Sequence, residues 1–275
     1  MKINKIYIMT WEHLQRGSSP IDWCEGNYQI SPNIAEFVNT FSNFIFILLP
    51  PILIHLFKDY GHFINQGIHV IWVLLIIVGL SSAYFHATLS LIGQLLDEVA
   101  ILWVCSAAFS MFSPKALFPK CLNGDRQKFS AGIAIITVIC TILSVWQPAV
   151  NAFALMFLVI PATIMLYNEL RVQKCERVIR LGIRSCTVLC VALVCWLIDR
   201  FCCDTWFGQH FPYLHGFWHI FIFIASYTAT VLFAYFAVQH DYVDRIAELK
   251  YWPVNQFEFG IPYVSIKLSN KEHNI

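Results

Sequence analysis

GIHVIWVLLIIVGLSSAYFHATLSLIGQLLDEVAILWVCSAAFSMF, residues 67–112, reads as two apolar runs joined by a short turn. Each run is about 20 residues long, the length an α-helix needs to cross bilayer hydrocarbon at about 1.5 Å per residue. The first run closes on His86, and Asp97 stands in the opening turns of the second. Ionisable groups are costly in hydrocarbon, so both mark a candidate site. Because the chain reverses between the runs, the two residues fall at the same end of a helix pair.

The pattern repeats outward in both directions. Seven helices are expected, at about 34–57, 67–89, 92–112, 129–146, 150–167, 181–201 and 215–239. Pro50, Pro51 and Pro161 fall inside them, where neighbouring helices can satisfy the freed carbonyls. Of 275 residues, 58% are hydrophobic and 13% charged, which excludes an ordinary soluble domain. The net charge of +1 argues against a nucleic-acid partner. No internal repeat is visible, so a transporter built from inverted halves gains no support. The expected class is therefore an all-α membrane protein with seven transmembrane helices. It divides into an N-terminal segment 1–33, a helical domain 34–239 and a tail 240–275. MKINKIYIMTWEHLQRGSSP, the first 20 residues, lacks the apolar run of a cleavable signal peptide, so translocation is expected to depend on the first span.

Lysine and arginine set the expected direction. With the N-terminus outside, the inner segments carry Lys58, Lys115, Lys120, Arg126, Lys128, Arg171, Lys174, Arg177, Arg180, Arg245, Lys250, Lys267 and Lys271. The outer segments carry only Lys2, Lys5, Arg16 and Arg200. That asymmetry places the N-terminus outside or lumenal and the C-terminus in the cytosol. His215 and His219 then occupy the first turns of the seventh helix, at the same depth as His86 and Asp97.

An HxxxH pair lies on one helical face. A third histidine completes a set that a catalytic zinc accepts, with a fourth position left open for water. Asp97 is placed to take a proton and pass it to a leaving amine. Ser82 precedes His86 by one helical turn and shares its face. It is either an oxyanion donor or a small residue easing helix packing. Glu98 points about 100° away from Asp97 on the helix and is the weaker candidate. His55, His62, His69, His210 and His240 sit at span ends or in loops and need no special role. Asp199 and Arg200 end the sixth helix and are open to an interfacial ion pair.

Before the first span lies IDWCEGNYQISPNIAEFVNT, residues 21–40. Clustered carboxylate and amide oxygens at Asp22, Glu25, Asn27 and Glu36 suit Ca²⁺, although this is no EF-hand and spacing alone favours a solvated acidic loop. Neither site borrows a ligand from the other, so the two are expected to be independent. Of ten cysteines, Cys105, Cys140, Cys186, Cys190 and Cys195 read as small apolar residues within spans. Cys24, Cys202 and Cys203 lie in polar flanks and are the ones able to pair.

IDWCEGNYQISPNIAEFVNTFSN, SSAYFHATLSLIGQLLDE, WLIDRFCC, FPYLHGFWHI and YWPVNQFEFGIPYV together resemble the alkaline ceramidases, over nearly the whole chain. The resemblance implies an integral seven-helix amidase that hydrolyses ceramide, a membrane lipid, to a sphingoid base and a fatty acid. It implies zinc on His86, His215 and His219, with Ser82 and Asp97 catalytic. It implies calcium on Asp22, Glu25, Asn27 and Glu36 and the backbone carbonyl of Trp23. It also implies a disulfide from Cys24 to Cys203, with no obligate protein partner evident. Within the family the likeness is to the Golgi member, so Golgi membranes are expected ahead of endoplasmic reticulum. The wider superfamily includes the adiponectin and progestin receptors, which supply the competing reading of a zinc-containing receptor without turnover.

Overall fold

The computed structural model of the chain describes residues 11–204, 211–242 and 244–268. Lys2, Lys5, His210 and Lys271 lie outside the described residues. Among these, seven helical segments are long and apolar enough to cross a membrane, as the apolar runs predict.

The first of them is interrupted. The sequence predicts one helix over 34–57, but helix α1 (Phe37–Ser42) stops and α2 (Ile45–Leu56) restarts after the buried Asn43. The start is set by Glu25, whose carboxylate accepts hydrogen bonds from the Val38 and Asn39 amides at 2.6 and 2.8 Å. Those amides have no partner inside the helix, so the carboxylate caps it from outside. Glu36 is extended, at φ −109°, and stands before the helix rather than within it. A short helix α3 (Lys58–Phe63) follows.

Helices α4 (Gly67–Thr88) and α5 (Leu91–Phe112) form the predicted pair. Their turn is two residues long. Leu89 adopts a left-handed φ of 47°, and the Ser90 side chain accepts from the Gly93 amide at 3.2 Å, which starts α5. This tight reversal keeps the end of α4 and the start of α5 at one level. Helix α6 (Arg126–Trp146) starts on Asp125, which caps the Gln127 and Lys128 amides. Helices α7 (Ala149–Val172), α8 (Glu176–Phe201) and α9 (Leu214–Asp241) complete the bundle. Each extends a turn or so beyond the apolar run that predicts it, because basic and polar residues continue the hydrogen-bonded backbone past the hydrocarbon.

Helix α9 is the most enclosed, with Phe223, Val231, Leu232 and Ala234 fully buried. It packs chiefly on α8 and also meets α1, α5 and α2, with Trp72 of α4 and Phe57 in the common core. Apolar helices gain little from mutual burial in lipid, so close packing and interhelical hydrogen bonds carry the association. Gly79 lets α4 approach α2 so closely that an added Cβ would lie 2.5 Å from Phe46 Cβ. Thr228 bonds Ser185 at 2.9 Å between α9 and α8, and Thr137 bonds Ser106 at 2.8 Å between α6 and α5. Along α6 and α7, by contrast, Ile135, Phe153 and Phe157 are more than 60% exposed, which fits contact with lipid tails.

The tail adds an element the sequence reading does not foresee. Strands β1 (Arg245–Trp252) and β2 (Ile261–Leu268) pair antiparallel from Arg245↔Leu268 to Trp252↔Ile261. Leu249, Tyr251 and Val264 of this hairpin join the helical core. Glu258, in its turn, receives Arg180 through two bonds of 2.9 and 2.6 Å, with Arg177 and Arg184 beside it. The hairpin thus closes the end of the bundle opposite His86.

Candidate metal centre

The three histidines converge. His86 ends α4 while His215 and His219 open α9, and all three are buried. One ligand atom from each lies within 4.8 Å of the others, and among the described residues no other set of histidine, cysteine or acidic side chains is so gathered. Ring centroids are 4.6 to 5.1 Å apart.

Each ring is oriented by a neighbour from another element. Nδ1 of His86 lies 2.5 Å from Glu36 Oε2. Nδ1 of His219 lies 2.7 Å from Ser42 Oγ, in the break that ends α1. These bonds fix the ring planes and leave the second nitrogen of each ring for a ligand. His215 stacks on Trp23 with centroids 3.6 Å apart, and its Nδ1 is buried without a partner. A buried ring nitrogen left open fits a metal ligand and does not fit a satisfied core histidine. The neutral imidazole is the form that ligates a metal. The residues present therefore fit a divalent ion with imidazole preference such as zinc.

Ser82 is buried one turn before His86, and its hydroxyl faces the Asp97 carboxyl across the α4–α5 pair. Asp97 is partly buried. Glu98 turns away and accepts from Gln94 Nε2 at 2.8 Å, as its position on the helix predicts.

The acidic loop is only partly assembled as a cation site. Asn27 Nδ2 bonds both Asp22 oxygens at 3.1 and 3.2 Å, and Asp22 lies against Glu36. Glu25 is turned to the α1 amides, and burial pushes its carboxyl above the usual range against the opposing pull of the Val38 and Asn39 amides. Glu36 accepts from the Trp23 amide at 3.2 Å and from Asn39 Nδ2 at 3.1 Å as well as holding His86. It therefore belongs to the histidine cluster's surroundings as much as to the acidic loop, so the two are not independent. Among the described residues, no lysine or arginine forms an ion pair with Asp22, Glu25 or Glu36.

A disulfide joins Cys24 to Cys203. Asp199, open in the sequence reading to an ion pair with Arg200, is instead 3% exposed and accepts from the Cys24 and His215 amides. Trp23, Ser42 and Asn43 also escape a reading by spacing, as does Glu36 in its role at His86. Their partners lie 50 or more residues away, and no local period reports such pairs.

Fold and site together define a polytopic helical membrane protein with a buried three-histidine cluster able to hold a metal ion at one end of the bundle. The ceramidase family model matches residues 15–265. An alkaline ceramidase of Drosophila melanogaster is 64% identical over 266 residues, covering 97% of this chain and 94% of the relative. Human alkaline ceramidase 1 is 38% identical over 255 residues, covering 93% and 97%. Alkaline ceramidase 3 of Mus musculus is 30% identical over 257 residues, covering 89% and 90%. The chain belongs to the ceramidase family.

Proposed function

We propose that the protein is an intramembrane amidase that hydrolyses ceramide to a sphingoid base and a free fatty acid. The observation that carries this reading is the convergence of His86, His215 and His219 in a chain of this family. These residues would hold zinc, which when bound supplies an acidified water and a Lewis acid for a carbonyl oxygen.

The remaining chemistry belongs to the chain. Amide hydrolysis needs a proton removed from the attacking water and one delivered to the departing nitrogen. That task falls to Asp97, in the first turns of α5, which shuttles the proton between the two. The Ser82 hydroxyl, already aimed at this carboxyl, swings its donor to the oxyanion as the carbonyl becomes tetrahedral. The amide of a two-chain lipid sits just below the headgroups, about where the histidines lie if they mark the outer leaflet. Substrate then enters sideways from the bilayer and needs no aqueous cleft.

The same reading places the N-terminus on the lumenal side and the tail in the cytosol, by the charge asymmetry, with Golgi membranes as the favoured site. It divides the chain into segment 1–33, the helical domain 34–239 and tail 240–275. It also assigns calcium to Asp22, Glu25, Asn27, Glu36 and the Trp23 carbonyl. Support comes from buried carboxylates, Glu25 and Glu36, that pair with no lysine or arginine among the described residues. Uncompensated buried charge is costly, and a divalent cation on oxygen ligands would relieve it.

The test is release of fatty acid from defined ceramides by the purified full chain in detergent, with metal content measured in parallel. Asp97→Asn should abolish turnover and keep the metal. A metal-loaded wild type inert towards ceramides of several chain lengths, with and without calcium, would refute the enzyme and favour the receptor reading.

A further inference from the structure

We propose that Asp199 is a positioning residue for His215, a role that rests on the three-histidine metal reading above. Helix α9 begins without a cap of its own, since Tyr213 at its N-cap makes no side-chain hydrogen bond. The first amides of a helix need acceptors from elsewhere. The His215 amide finds one in Asp199 Oδ1, at 3.2 Å, which reaches it from the end of α8.

The other oxygen holds a second element. Asp199 Oδ2 accepts from the Cys24 amide at 3.1 Å. Trp23, next to Cys24, lies face to face on the His215 imidazole, 3.6 Å between centroids and 20° between planes. One carboxylate thus fixes His215 twice. It anchors the backbone directly and sets the ring plane through the loop that carries Trp23.

A plain tie between the loop and α8 is the competing role. That tie already exists in the Cys24–Cys203 disulfide, four residues beyond Asp199. A carboxylate only 3% exposed, bonded to two amides and to no lysine or arginine among the described residues, is an expensive way to duplicate it. Its negative charge does match the positive end of the α9 dipole, where the metal-ligand pair begins.

The experiment measures zinc affinity by chelator competition, and the visible spectrum of the Co²⁺-substituted protein, on the full chain in detergent. Asp199→Asn should weaken zinc by about 10- to 100-fold, the usual effect of losing a residue that orients a metal ligand, and should alter the cobalt bands. Cys203→Ser removes the covalent tie and should lower the melting temperature without changing either metal readout. Trp23→Leu, which leaves the loop backbone in place, should weaken zinc in the same direction and decides the matter if Asp199→Asn does not fold. Wild-type zinc affinity and cobalt bands in whichever of these two variants folds would overturn the proposal. So would an equal loss of affinity in Cys203→Ser. A wild type that binds neither zinc nor cobalt would instead overturn the three-histidine reading, so the two failures are distinguishable.

Discussion

Replacing Glu36 by glutamine isolates the contact between the acidic loop and the histidine cluster. The native carboxylate accepts three hydrogen bonds, from the Trp23 amide, Asn39 Nδ2 and His86 Nδ1. An amide of the same shape offers one oxygen and one NH₂. With its oxygen towards His86 and Asn39, the NH₂ confronts the Trp23 amide, and one buried donor goes unmet at about 1–3 kcal/mol. With the amide reversed, the NH₂ faces His86 and drives the ring proton to the other nitrogen, which removes that nitrogen as a ligand. The first orientation is the milder, yet it still exchanges a charged partner of His86 for a neutral one. Zinc affinity should fall about 10- to 100-fold, equivalent to about 1.4–2.8 kcal/mol. Chelator competition on the purified protein reads the affinity, and a thermal melt without metal reads the unmet donor. Unchanged zinc affinity in a folded Glu36→Gln protein would refute the claim that this carboxylate tunes His86.

Three further outcomes are expected. Selective calcium chelation should lower both melting temperature and turnover, and should weaken zinc without expelling it, because Glu36 touches both regions; indifference of all three would return the acidic segment to a solvated loop. Arg180, chiefly, holds the Glu258 carboxyl below its usual value of 4.5, with Arg177 and Arg184 assisting. A depressed carboxyl contributes stability above its unfolded pKa and loses it as pH falls through the folded one, so hairpin docking should hold at neutral pH and loosen below about 4.5, read as hydrogen exchange of β1 and β2. Glu258→Gln should show the loosened state already at pH 7. Non-reducing peptide mapping of membranes should recover the Cys24–Cys203 pair, and a protease-protection assay that places the N-terminus in the cytosol would refute the charge-based topology.

The spans were legible because hydrocarbon imposes one requirement on every residue of a run, and a 20-residue window averages over individual exceptions. His86, His215 and His219 were legible for the converse reason, since each breaks an apolar run where a polar group is costly. The division of the first span was not. Phe37 to Leu56 is apolar enough to cross, yet Glu25 sets its start from outside at the Val38 amide, and His219 engages Ser42 where α1 stops. The hairpin escaped as well, because YWPVNQFEFGIPYV alternates weakly and its decisive contacts are arginines 67 to 78 residues upstream. Asp199 looked like half of a surface pair because its neighbour in sequence is Arg200, while its partners in space are amides of Cys24 and His215. Contacts between distant segments leave no periodic trace.

The N-terminal segment is the first part of the described chain to leave the ribosome and the last able to settle. Its amides at Gly17, Ser19, Ala35 and Glu36 bond the carbonyls of Thr88, Leu89, Ala87 and His86. Cys24 must also wait for Asp199 and Cys203, and Trp23 for His215. Each of those partners is synthesised later, the final one in the last helix. The nascent chain therefore carries an unfinished coordination sphere until insertion is complete, with no more than His86 of the three on offer. Any metal held by all three histidines must therefore wait until the last helix is made.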